Sequence, residues 1–92
     1  MAPKVDTKPM IETSDMPKPM RDHAMRFVEP LILQQMSDDE LANQLREAFD
    51  KAYGRGWNCL VGRDFGAYVQ HEPRTLAFFY VDRTAVMIFK AK

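Results

Sequence analysis

A single cysteine, Cys59, occurs among the 92 residues. An internal disulfide framework is thereby excluded. Two histidines, His23 and His71, stand far apart in the chain. With one cysteine they cannot supply four ligands at a recognised zinc spacing, so no metal and no cofactor are expected. An excess of charge of either sign is also missing: Lys and Arg total 13, Asp and Glu total 13, and the pI is near 6.7. Domains that bind nucleic acid as their main partner usually carry a basic surplus, so the balance points away from that class. No stretch approaches the roughly 20 apolar residues of a membrane span, so no membrane partner is expected. The opening MAPKVDTKPM lacks the apolar core of a signal peptide. A free thiol without such a signal fits a reducing cytosol. Internal repeats and low-complexity tracts are absent as well.

What remains is ordinary globular composition, with 46% hydrophobic and 28% charged residues, too apolar for a disordered chain. One small domain is expected. A chain this short buries only about 60–65% of its unfolded surface, so its own core is marginal. Disulfides and metals being excluded, oligomerisation is the expected source of further stability.

Residues 1–9, with two prolines and no periodicity, read as a flexible tail preceding a domain over 10–92. Met10–Thr13 is expected to form a short strand. Pro17 and Pro19 mark a helix start, with Asp15 as the expected N-cap. The spacing of Met20, Ala24, Phe27, Val28 and Leu31 predicts a helix over about Lys18–Leu33. Pro30 removes a backbone donor at a cost of about 3 kcal/mol in a helix interior, so a kink or an early end is expected there. A second helix opens on Ser37-Asp38-Asp39-Glu40, a capping box whose acids also suit the positive helix start. Leu41, Leu45, Ala48, Phe49 and Ala52 form its expected buried stripe. Lys51 suits its last turn, and Gly54 can adopt the left-handed conformation that ends it.

Beyond Gly56 the pattern turns to strands. These are expected at Trp57–Val61, Phe65–His71, Thr75–Val81 and Thr84–Lys90, with turns at Gly62-Arg63-Asp64, Glu72-Pro73-Arg74 and Asp82-Arg83. Alternation puts Leu76, Phe78 and Tyr80 on one face and Ala77, Phe79 and Val81 on the other. Both faces are apolar. Helices can cover one, and the other requires a second copy or a ligand.

Other readings of these residues are weaker. Gly62 and Gly66 lack the Lys-Ser/Thr that a phosphate loop needs after its glycines. Cys59, His71 and Asp64 could make a nucleophilic triad. Cys59, however, sits in an apolar run, where a buried structural thiol is the better reading. His23 reads as a solvated helix residue, and His71 as a hydrogen-bonding residue on a strand edge.

Phe49-Asp50-Lys51-Ala52-Tyr53, the run Trp57-Asn58-Cys59-Leu60-Val61-Gly62-Arg63-Asp64-Phe65-Gly66-Ala67-Tyr68-Val69-Gln70-His71-Glu72, and the closing Phe79-Tyr80 and Phe89-Lys90 resemble the small dynein light chains. The family's version of the long run is close to W-H-C-I-V-G-R-N-F-G-S-Y-V-T-H-E. The resemblance covers about residues 10–92 and is dense from Phe49 onward.

It implies an α+β fold, two helices packed on an antiparallel sheet, in a homodimer whose protomers exchange the strand Phe65–His71. It implies a non-catalytic hub and dynein light chain that binds extended partner segments by adding them as strands in two symmetric grooves. Groove walls are then Asp64, Phe65, Gly66, Ala67, Tyr68, Val69, Gln70 and His71. The floor is Leu76, Phe78, Tyr80 and Ala85. Asp38 and Asp39, at the start of the second helix, close one end. Arg46, Asn58, Phe65, Tyr68 and Gln70 fall at the dimer interface. The implied partners are the dynein intermediate chain and other proteins with short extended motifs, often containing Gln, in a cytoplasmic, microtubule-associated setting. A dimerisation adaptor independent of dynein would use the same groove.

Several positions depart from the family. Asn58 stands where many members have His, Asp39 where they have Lys, Asp64 for Asn, Ala67 for Ser, Gln70 for Thr, and Ala91 for a serine near the C-terminus. Pro30 and Pro73 are unusual. Asp39 and Asp64 make the expected groove more negative and predict weaker affinity for acidic ligands.

Overall fold

The computed structural model describes residues 9–63 and 69–92. Elements run β1 (Pro9–Ser14), α1 (Lys18–Leu33), α2 (Asp38–Tyr53), β2 (Trp57–Gly62), β3 (Ala77–Val81) and β4 (Thr84–Lys90). The four strands form one antiparallel sheet in the order β1-β3-β4-β2. Both helices pack on one face, giving the expected two-layer α+β architecture.

The core between the layers follows the periodicities. Ala24 and Val28 of α1 and Leu41, Leu45 and Phe49 of α2 are buried. They meet Trp57 of β2, Ala77, Phe79 and Val81 of β3, and Val86 and Ile88 of β4. Met20, Phe27 and Leu31 pack at its margin. The α2 stripe is shorter than expected: Ala48 is half-buried and Ala52 is exposed. No polar or charged side chain is buried among the described residues, so the core is held by apolar burial and aromatic edges. Trp57 meets the Phe49 ring edge to face at 4.9 Å.

Both helix starts and stops have local causes, and two differ from expectation. Ser37 caps α2 as expected, its hydroxyl accepting from the Glu40 amide at 3.3 Å. Gly54 ends α2 at φ 89°. The Lys90 ammonium donates to the Tyr53 carbonyl at 3.2 Å, where the helix dipole favours a cation. At α1, however, Pro17 occupies the cap position without a side-chain bond. Asp15 does not cap the helix. Its carboxylate accepts from the amides of Leu76, at 2.9 Å, and Arg74, at 3.1 Å. These donors lie in the turn before β3, and Arg74 has φ 63°, so its conformation is held from outside. Nor does α1 end at Pro30. It continues to Leu33 and closes in a Schellman motif, with Met36 N–H on the Leu31 carbonyl and Gln35 N–H on that of Ile32. Gln35 takes the left-handed position at φ 59°, and Met36 and Leu31 both pack against the core.

His23 is not solvated. It is half-buried, stacks on Phe49 at 5.4 Å, and its Nδ1 lies 2.8 Å from the Tyr53 hydroxyl. Strand β1 is one residue longer at each end than expected. Strand β3 starts at Ala77, since Thr75 and Leu76 belong to the turn anchored by Asp15.

Candidate functional site

The second face of the sheet, away from the helices, carries its own apolar cluster. Phe78, Ala85, Met87 and Phe89 are buried there, with Val69, Leu76 and Tyr80 packed against them. The pairing explains the grouping. Phe78 lies opposite Met87, and Tyr80 opposite Ala85, in the β3–β4 hairpin. Asp82, at φ 55°, makes the two-residue turn that fixes this register. Phe78 and Tyr80 stack at 5.7 Å. All four expected floor residues, Leu76, Phe78, Tyr80 and Ala85, thus come together. Met87 and Phe89 belong with them and were missed. The period of two, continued from Ala85, was the signal that would have found them.

Next to this cluster lies an open cleft of about 460 Å³, lined by Thr13, Val69, Gln70, His71, Leu76, Met87 and Lys92. Thr13 enters because β1 pairs with β3 and sets it opposite Phe78. A register shift between Ile11 and Thr13 marks an irregularity in β1 just before it. The other wall is a chain segment laid along the end of β4. His71 makes a single antiparallel bridge with Ala91, Glu72 N–H donates to the Lys90 carbonyl at 2.8 Å, and Lys92 N–H to that of Gln70 at 3.4 Å.

His71 is held by chemistry as well as by pairing. Its Nδ1 lies 2.9 Å from the Glu72 carbonyl, which can only accept, so Nδ1 carries the proton. In the neutral ring Nε2 is then an acceptor. The Asp15 carboxylate lies 3.8 Å from the same Nδ1.

Of the expected groove walls, Val69, Gln70 and His71 are thus in the cleft. Asp64, Phe65, Gly66, Ala67 and Tyr68 lie outside the described residues, and with them most of the strand expected over Phe65–His71. Asp38 and Asp39 are exposed in the first turn of α2 and do not line this cleft. Asn58 is exposed on β2, opposite Phe89, and donates to the Gly56 carbonyl at 3.3 Å. Arg46 pairs with Asp50 at 3.3 Å, and Asp50 also accepts from the Trp57 amide, tying α2 to β2.

Cys59 sits on the opposite side of the sheet, against the helix-covered core. Burial pushes its thiol up to about 12, against a smaller lowering by Arg46. Among the described residues no cluster of His, Cys, Asp and Glu could hold a metal ion.

A sequence profile of the family described as "Dynein light chain type 1" matches residues 8–91. A "Dynein light chain" of Schistosoma mansoni is 33% identical over 86 residues, covering 94% of this chain and 97% of that one. The chain belongs to the dynein light chain family. Solved structures agree in fold. The dynein light chain-like domain of the Fasciola hepatica calcium binding protein FhCaBP2 superposes with a TM-score of 0.81 at 18% identity, over 95% of this chain and 94% of that one. The "DLC like domain of CsTAL3" gives 0.76 at 17%, over 96% and 97%. At these identities the likeness speaks for the fold alone. Membership relates this dynein light chain to motor components, in a family that is generally not enzymatic. No helix among the described residues is long and apolar enough to cross a membrane.

Proposed function

We propose that this chain is a non-catalytic, dimeric peptide-binding hub and a light chain of the dynein motor. It takes extended partner segments, often containing Gln, along a strand edge. One observation carries the reading: the sheet has a second apolar face, built from Leu76, Phe78, Tyr80, Ala85, Met87 and Phe89, with a cleft beside it. The helices already cover the other face and have no further side to offer. Phe78, Ala85, Met87 and Phe89 are buried within the single chain, and the half-buried Leu76 and Tyr80 at their margin suit a peptide strand: backbone bonds give affinity and side-chain pockets give selectivity. Two grooves in a two-fold dimer hold two copies of a partner side by side and raise their effective concentration. The working place is the cytoplasm, on microtubule-associated motors. The domain runs from Pro9, the first residue of β1, to Lys92, one residue longer than the sequence suggests.

The non-catalytic reading is supported by Cys59. A thiol pushed up to about 12 is almost wholly protonated at neutral pH and is a poor nucleophile.

The test is a peptide-array screen of the purified protein, followed by calorimetry with a dynein intermediate-chain peptide and sedimentation. Micromolar binding of that peptide by a dimer is expected. Array binders without binding of the intermediate-chain peptide would favour an adaptor that works apart from dynein. A monomer that binds no extended peptide would overturn the proposal.

A further inference from the structure

Two residues that line the cleft, His71 and Leu76, meet the same side chain outside it, that of Asp15. The Asp15 carboxylate accepts from the Leu76 amide at 2.9 Å and the Arg74 amide at 3.1 Å, and it stands 3.8 Å from Nδ1 of His71. The grip on Leu76 runs both ways. The Leu76 carbonyl accepts from the Asp15 amide at 3.0 Å, the Met16 amide at 3.2 Å and the Ser14 hydroxyl at 3.1 Å. Met16 is buried in the core between the layers, so this clamp is fixed to the body of the domain. The far side of the same turn is tied to β4. There the Thr75 hydroxyl donates to the Glu72 carbonyl at 2.7 Å and accepts from the Lys90 amide at 3.2 Å. Asp15 itself is not among the described residues that line the cleft.

We infer that Asp15 is a positioning residue of the cleft: without touching a partner segment, it fixes Leu76 and the Nδ1 edge of His71 before that segment arrives. The inference rests on the peptide-groove reading above and names a residue on which the groove depends.

The physical basis lies in the turn. Arg74, at φ 63°, holds a conformation that disfavours a side-chain-bearing residue, so the turn can relax once its amide loses its acceptor. Leu76 and His71 stand on either side of it. A wall that becomes ordered only in the complex sets the cost of ordering against affinity. Ordering one flexible side chain on binding weakens it about two- to tenfold. The contacts within the complex stay the same, so the loss falls on association, whereas a lost contact speeds dissociation.

The probe is the strongest peptide of the array screen, labelled with fluorescein and mixed with the full chain in stopped-flow anisotropy. The temperature is about 10 °C, well below the melting range of ordinary domains. Asp15→Ala should bind about two- to tenfold more weakly than the parent, with the loss in the association rate. Asp15→Asn, which keeps one acceptor, should lie between the two. Val28→Ala is the control. It opens a void in the helix-covered core, away from the cleft, and should bind as the parent does although it melts earlier. Circular dichroism checks that each variant is folded. If Asp15→Ala is not, Asp15→Asn carries the comparison and must itself associate more slowly than the parent. Parent-like affinity without the carboxylate, a loss confined to dissociation, or an equal loss in Val28→Ala overturns this inference and leaves the groove reading standing. If the parent binds no peptide, the groove reading fails and this inference with it.

Discussion

At the scale of single residues, two side chains hold structure that their neighbours in sequence do not suggest. Asp15 replaces solvent for two amides of a turn far along the chain, and it leaves α1 without a side-chain cap. Removing the carboxylate strands both donors in a half-wet site. Asp15→Ala should therefore cost about 1–2 kcal/mol. For a chain of this size that lowers Tm by roughly 5–10 °C. Asp15→Asn, which keeps one acceptor, should recover part of the loss. A calorimetric scan in which Asp15→Ala melts with the parent would show that water serves these amides as well. Cys59 makes the second case. Its thiol, raised from 9.0 to about 12, should react with iodoacetamide at pH 8 roughly a thousandfold more slowly than an unfolded cysteine. The same shift has a consequence for stability. Above pH 9 the unfolded chain releases this proton and the folded chain keeps it, so stability is complete below pH 9 and declines as pH rises toward 12. Rapid alkylation of the folded protein at pH 8 would contradict both statements.

Among the elements, α2 and the β3–β4 hairpin were legible because their signals are local. Ser37 and Glu40 are three residues apart, and the alternation from Leu76 to Val81 separates two faces without any knowledge of what covers them. The end of α1 was not legible. A left-handed C′ position normally announces itself as Gly or Asn, and here it is Gln35, in a motif closed by the Met36 amide on the Leu31 carbonyl. The Asp15 anchor and the Gln70–Lys92 wall of the cleft join residues distant in sequence, and no periodicity reports such pairs. Pro30 shows how packing overrides propensity. It is exposed and lies four residues before a helix end that the Schellman bonds close, while its ring clash and missing donor fall at the Arg26 carbonyl one turn earlier. The cost remains. Pro30→Ala should stabilise the fold by about 1–2 kcal/mol, the restored helix bond outweighing the greater freedom of the unfolded chain. Urea unfolding should show a higher midpoint with unchanged slope. An unchanged or lower midpoint would mean that the proline ring is itself part of the packing.

For the whole molecule, the question is what meets the edge of β2 away from β4, which no described strand pairs. Among the described residues β2 pairs only with β4, and Leu60 is 44% exposed on the face it shares with Met87. In the proposed dimer this region, including Asn58, faces its symmetry mate. A histidine at position 58, as in many relatives, would gain a proton near its reference pKa of about 6.5. Two such cations brought together in a desolvated interface repel, and mild acid would separate the protomers. Asn58 stays neutral throughout and can both donate and accept. The dimer is therefore expected to persist through mild acid, and Asn58→His should make it dissociate as pH falls through about 6.5. His71 and His23 are the chain's own histidines, and His23 is enclosed by Phe49 and Tyr53 on the helix side. Running both proteins in a His71→Gln background isolates position 58. Sedimentation velocity from pH 7.5 to 4.5 reads the outcome. Cooperative loss of the dimer between about pH 6 and 7 in the Asn58 protein, the range where an ordinary histidine titrates, would sink the acid-tolerance argument. An Asn58→His dimer as acid-stable as its parent would put position 58 away from the two-fold axis.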